Sequence, residues 1–170
     1  MTKTYRLIAS STCVAIGVVL PIVFHSVGFM GSVFLPMHIP VLIAGLFLGA
    51  RSGLITGMLT PLISTLVTGM PPMMPVLPIM IVELGVYGFI AGYCYAGKRW
   101  ALYSSLLSAM AAGRIAAGFA VYGLALLIEL PISPLVYLQG ALITGAPGII
   151  IQLALIPLII HKLQKAWNFK

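Results

Sequence analysis

The sequence has no aspartate, and its only acidic residues are Glu83 and Glu129. Charged residues of both signs together make up 6% of the chain, against 61% hydrophobic ones. A soluble domain of this length needs about a quarter of its residues charged to cover itself with polar surface, so a water-soluble globular fold is excluded. Cysteine is scarce as well. Cys13 and Cys94 both sit in apolar stretches and argue for neither a disulfide framework nor a metal site. No HExxH or comparable ligand cluster is present. A proton relay, which wants a chain of carboxylates, is missing too.

What is abundant is long apolar sequence. A bilayer core of about 30 Å takes roughly 20 residues of helix to cross. Breaks at proline, glycine and charge divide the chain into six such stretches, near 5–25, 36–50, 52–69, 75–96, 101–126 and 137–161. The expected fold class is therefore an all-α integral membrane protein, a six-transmembrane-helix bundle forming one membrane domain over residues 1–170. The second and third stretches are short and joined by "GARSG", so they are expected to cross at an angle or as a tight helical hairpin. The opening "MTKTYRLIASSTCVAIGVVLP" has the basic start and apolar run of a signal peptide. No polar mature domain follows, and it reads as a retained first span.

The formal net charge is +7. With the N-terminus in the cytoplasm, Lys3, Arg6, Arg51, Lys98, Arg99, Lys162, Lys165 and Lys170 all fall on the cytoplasmic side, as the positive-inside rule asks. An even number of spans then leaves both termini cytoplasmic. The charge is a topology signal rather than a nucleic-acid footprint. Glu129 falls in the outer loop "IELPISP", and Arg114 is left over in the middle of the fifth span. The inner turns are short and basic. The outer stretches "HSVGFMGSVFLPMHIP" and "TGMPPMMPVLP" are long and rich in glycine, proline and methionine. Prolines 71, 72, 75 and 78 forbid a regular helix there, and such apolar loops are expected to fold over or into the outer mouth of the bundle.

An ionisable group inside a span costs several kcal/mol unless compensated, and points to function with a named partner. Glu83 lies about seven residues below the outer end of its span, or ~10 Å, and Arg114 about a dozen below its own, or ~18 Å. Helix tilt allows the two to meet or to face one cavity. A structural ion pair tying helices four and five together is the competing account. His25 closes the first span and His38 opens the second, where interfacial helix-end histidines are also expected. Tyr87 shares a face with Glu83 by i,i+4 spacing. Gln139 stands at the outer start of the sixth span and Gln152 near its middle, and amides there often only bridge helices. Together these residues have the makeup of a site for a small, polar, flat organic molecule. A second pattern is small residues at helical spacing. Ala9, Cys13 and Gly17 repeat every four residues in the first span, with Ser11 and Ala15 on an adjacent face, and Ala44, Gly45, Gly49, Gly53 and Gly57 follow in the next two. Such stripes permit close helix contact, within the chain for 45–57 and either within it or against another membrane protein for the first span.

Several segments resemble the substrate-binding S component of an energy-coupling factor (ECF) vitamin transporter. They are "FLPMHIPVLIAGLFLGARSGLITGMLTPLISTLVTGMPP", "ELGVYGFIAGY", "AGRIAAG" and "ITGAPGIIIQLALIP", which cover most of the chain. The resemblance implies a high-affinity vitamin binder of the bacterial plasma membrane, without a cofactor of its own. It would dock onto a transmembrane coupling subunit carrying two cytoplasmic ATPases, which use the ATP, and topple to release its cargo inside. It also implies a ligand site at the outer halves of helices four to six with the first and third loops, mapping onto Glu83, Tyr87, Arg114, Gln139 and the stretches holding His25, His38 and residues 69–75. In the family a small-residue stripe on the first helix contacts the coupling subunit. Ala9 with Cys13, or Ser11 with Ala15, are the nearest matches here, in place of paired alanines.

Glu83 can accept two hydrogen bonds from an aminopyrimidine or a protonated pyridine while Tyr87 stacks on the ring, which favours a pyridoxine- or hydroxymethylpyrimidine-like ligand. Arg114 can grip a carboxylate with two bonds, which brings pantothenate next. Neither argument survives if the two residues neutralise each other. The alternatives are an intramembrane enzyme using Glu83 with His25 or His38, against which stands the absence of an activated nucleophile or metal shell, and a structural membrane subunit.

Overall fold

The computed structural model describes residues 2–26, 31–128 and 133–168. Helix α1 spans Lys3–Ser26, a short α2 Gly31–Phe34, α3 His38–Leu48, α4 Ala50–Thr68, α5 Val76–Gly92, α6 Leu102–Ile128 and α7 Pro134–Asn168. A π-helical turn, Tyr93–Gly97, continues α5. No strand occurs among the described residues. Each of the six apolar stretches corresponds to one of the longer helices. Four of these, α1, α5 with its extension, α6 and α7, are long and apolar enough to cross a membrane. Helix α3 is apolar but has only 11 residues. Helix α4 has 19 residues, but it carries Arg51 and a run of serines and threonines.

The break between α3 and α4 is a single residue. Gly49 sits at φ +100° and its N–H closes on the Gly45 carbonyl. Only glycine takes this backbone conformation without strain, so the chain turns there, and Arg51 to Gly53 already belong to α4. At the other end of α4, Gly69 adopts a left-handed conformation as C-cap. The Ser64 hydroxyl donates to the Met70 carbonyl at 2.7 Å and the Thr65 hydroxyl to the Pro71 carbonyl at 2.8 Å. These bonds fold the proline-rich segment back onto α4. Pro71, Pro72 and Pro75 precede α5, whereas Pro78 lies within its first turn. A first-turn N–H has no partner in its own helix, so proline is accommodated there.

Helix α5 is the centre of the bundle and touches α3, α4 and α6 extensively. Part of its contact with α3 and α4 is backbone on backbone. A Cβ at Gly53 or Gly45 would overlap the Gly88 carbonyl, and one at Gly57 the Leu84 carbonyl. The small residues of α3 and α4 therefore pack within the chain, as their spacing suggests. On the far side, Leu42 and Leu46 of α3, Tyr87 and Ala91 of α5, Leu106 and Met110 of α6, and Ile156 and Ile160 of α7 form the main apolar core. Helix α1 lies outside α3 and α4 with most of its surface exposed. Helix α2 folds back against α7, with Val33 and Phe34 over Gly148. This part of the first long loop covers the bundle, as its apolar composition suggests.

The Gln164 amide donates to the Tyr95 hydroxyl at 2.7 Å, and Gly92 abuts Gly49 and Ala50. These contacts gather Arg51, Lys98, Arg99, Lys162 and Lys165 toward one end of the bundle. Glu129 lies outside the described residues.

Candidate functional site

Glu83 stands on the α6-facing side of α5, and Arg114 enters from the inward face of α6. Their side chains meet. Nη1 of Arg114 lies 2.7 Å from Oε1 of Glu83, in surroundings that leave Glu83 2% and Arg114 9% exposed. From α3, Nε2 of His38 comes within 3.6 Å of the same oxygen. The Tyr87 ring stands one turn along α5, edge-on to the His38 ring, with centroids 5.0 Å apart and planes at 84°. Such a pair contributes about 0.5–1.5 kcal/mol beyond its buried area. Gly113 makes room for Tyr87, because any Cβ there would run into the ring.

The cluster is poorly satisfied. Among the described residues, Nε and Nη2 of Arg114, both ring nitrogens of His38 and Nε2 of Gln152 are buried without hydrogen-bond partners. Native interiors leave few polar atoms in that state, and each orphaned group costs about 1–3 kcal/mol. An arrangement of this kind has donors available for a polar guest. Arg114 and Glu83 offset each other's charge, and removing either alone would strand the other in an apolar bundle.

The residues predicted from sequence fall into three groups. Glu83, Arg114, His38 and Tyr87 come together. Gln152 is fully buried on α7, two turns beyond Gly145, whose missing side chain borders Arg114. Gln139 is exposed, roughly a third of a turn around α7 from Gly145, so helix phase keeps it out of the cluster. The side chain of His25 lies outside the described residues. Sequence reading missed the part played by Leu35 and Gly145. Leu35 adopts φ +49°, and its Cδ1 and Nη2 of Arg114 both border the space where a Gly145 side chain would stand. A leucine ahead of Pro36 carries no signal of this role, and "ITGAPG" shows only that α7 contains small residues.

On α1, Gly17 is buried against Thr60 and Pro40, and Ala9 and Cys13 are half-buried. Ser11 and Ala15 are exposed and line an open groove with Val14, Val18, Leu59 and Ile63. The two small-residue registers of α1 thus point to different surroundings.

A model of the family described as "ECF transporter, substrate-specific component" matches residues 5–160. The chain belongs to this family. No curated protein and no solved structure matches it. As a substrate-specific component, it is a multi-pass membrane protein with a role in substrate-specific transport. Among the described residues, the buried cluster around Glu83 combines charge, aromatic rings and unpartnered donors.

Proposed function

We propose that this S component captures a small water-soluble vitamin or vitamin precursor with high affinity at the outside of a bacterial plasma membrane. It passes the cargo inward through a transmembrane coupling subunit served by two cytoplasmic ATPases. In this reading the chain is one membrane domain that crosses six times, with both termini inside. It catalyses no reaction and holds no cofactor, and ATP is used by the partner subunits. Glu83, Arg114, His38, Tyr87 and Gln152 contact the ligand, with His25 and Gln139 nearer the entrance. The exposed face of α1 carrying Ser11 and Ala15 meets the coupling subunit, flanked by Ala9 and Cys13, while Gly17 seats α1 on the bundle.

The observation that carries the proposal is the gathering of His38, Glu83, Tyr87 and Arg114 from three helices, with buried nitrogens left unpartnered. Two ligand classes follow from the residues. A pyridoxine- or hydroxymethylpyrimidine-like compound would donate to Glu83, and pantothenate would accept from Arg114. With Glu83 engaged by Arg114, the heteroaromatic ligand must displace the pair to reach the carboxylate, whereas an acid need not. The 2.7 Å contact also suits a purely structural ion pair, so binding has to be measured directly. Native mass spectrometry of the gently purified chain, followed by calorimetry with a vitamin panel, should find a bound small molecule and a tight ligand. Co-purification should recover a coupling subunit and two ATPases. A chain that assembles with them but binds no small solute would refute the capture role.

A further inference from the structure

Helix α5 has a third face, between its glycine contact with α4 and the side that carries Glu83. Val82, Val86, Phe89 and Tyr93 recur there at i, i+4, i+7 and i+11. Val82, Phe89 and Tyr93 are exposed and Val86 is half-buried. From Val82 to Tyr93 this face runs about 16 Å at 1.5 Å per residue, close to the depth of one leaflet in a bilayer core of about 30 Å. At its end the chemistry changes. The Tyr93 ring stacks on the Phe89 ring, with centroids 6.1 Å apart and planes at 9°. Nζ of Lys98 stands 5.7 Å from the Tyr93 centroid. Backbone bonds hold the turn that follows, the Lys98 N–H donating to the Tyr93 carbonyl at 2.8 Å and the Trp100 N–H to the Cys94 carbonyl at 3.0 Å. Lys98 and Arg99 are exposed on that turn. Glu83, the one acid among the described residues, is buried against Arg114 and offsets neither of them.

We propose that this face holds an anionic phospholipid from the leaflet at the basic end of the bundle. One acyl chain lies along Val82, Val86 and the Phe89 ring, the Tyr93 ring stands at the level of the ester groups, and the phosphate meets Lys98 and Arg99. The order apolar, aromatic, cationic along the face matches the order chain, interface, headgroup in a lipid. Two neighbouring cations with no acid beside them favour a headgroup of net negative charge. Phosphatidylglycerol has one, whereas the amine of phosphatidylcholine cancels the charge of its phosphate. An acidic protein surface would satisfy the two cations but would leave the apolar run below them, at membrane depth, without a role.

The test reconstitutes the full chain in nanodiscs of phosphatidylglycerol and phosphatidylcholine in equal amounts with identical acyl chains. Native mass spectrometry then weighs the lipids that stay bound on release. Phosphatidylglycerol should be retained roughly 5- to 30-fold over phosphatidylcholine, the range for one to two cations at an anionic headgroup. Lys98→Gln/Arg99→Gln should bring that ratio to about 2-fold or less, whereas Lys162→Gln/Lys165→Gln on α7 should leave it intact. Phe89→Ala removes chain contact but no charge, and should lower retention of both lipids alike. All of these side chains are exposed, and size-exclusion chromatography confirms that each variant folds. Equal retention of the two lipids by the unaltered chain would overturn the proposal. So would a preference that survives Lys98→Gln/Arg99→Gln, or one that falls with the α7 pair instead. Unchanged retention of both lipids in Phe89→Ala would overturn the placement along α5. A Lys98→Gln/Arg99→Gln chain that keeps its lipid ratio but loses a co-purifying coupling subunit would assign the turn to a protein partner, against the lipid.

Discussion

Helix α5 presents two faces that are built in opposite ways. Toward α4 and the Gly45–Gly49 end of α3 it shows Gly88 and Gly92, and the helices approach until only backbone separates them. Toward α6 and the His38 end of α3 it shows Glu83 and Tyr87, whose side chains fill the gap and bring charge into an apolar interior. At 100° per residue, positions 83 and 88 lie about 140° apart, so one helix carries both regimes on different sides. The glycine seam buries no charge and tolerates no added side chain. One side is packing without charge, and the other is charge packed among apolar helices.

The strongest way to break this contrast is to place a side chain in the seam. Gly53→Leu or Gly88→Leu would set a side chain where the opposing carbonyl now lies. The cost should exceed the roughly 1–3 kcal/mol of ordinary overpacking and leave no monodisperse protein in size-exclusion chromatography. Next come Glu83→Ala and Arg114→Ala, each expected to destabilise by about 3–5 kcal/mol because one buried charge loses its counterion. The double replacement Glu83→Leu/Arg114→Met should recover most of that loss in thermal unfolding yet bind no vitamin. A double variant as unstable as the singles would contradict the charge explanation. Gly113→Ala, which pushes on the Tyr87 ring, should cost about 1–3 kcal/mol, read as a lowered midpoint of thermal unfolding. The smallest stability effect belongs outside the bundle. Ser11→Leu/Ala15→Leu on the exposed face of α1 should change stability by no more than about 0.5 kcal/mol while reducing recovery of the coupling subunit in co-purification. Unchanged recovery would remove this face from the docking surface.

Much of the architecture was legible because lipid is an exacting solvent. Six apolar stretches, bounded by proline, glycine and charge, foreshadow α1 and α3–α7, to within a few residues except that α7 runs on to Asn168, past the 161 at which its apolar run ends. The one-residue hinge was harder to see, since "GARSG" offers two glycines and only three-dimensional contact decides that Gly49 turns while Gly53 packs. Pro78 reads as a helix breaker in a run of prolines, yet a first helical turn has no use for its N–H. In the site, Glu83, Arg114, His38 and Tyr87 stood out because ionisable and polar groups are costly in hydrocarbon. Gln139 stood out for the same reason, although helix phase leaves it exposed. Leu35 and Gly145 did not stand out at all, because their role is to shape space and neither carries a chemical signature.

Composition and spacing alone determined that this chain is helical and lipid-embedded, and that a few buried polar residues would need partners. Hydrocarbon penalises unpaired polar groups wherever they lie, so a sequence that keeps them declares them. Which groups meet is another matter. That Arg114 of α6 and His38 of α3 converge on the same oxygen of Glu83 depends on helix phase and on how α3, α5 and α6 pack. Those quantities are set by packing between distant segments, and no local pattern encodes them.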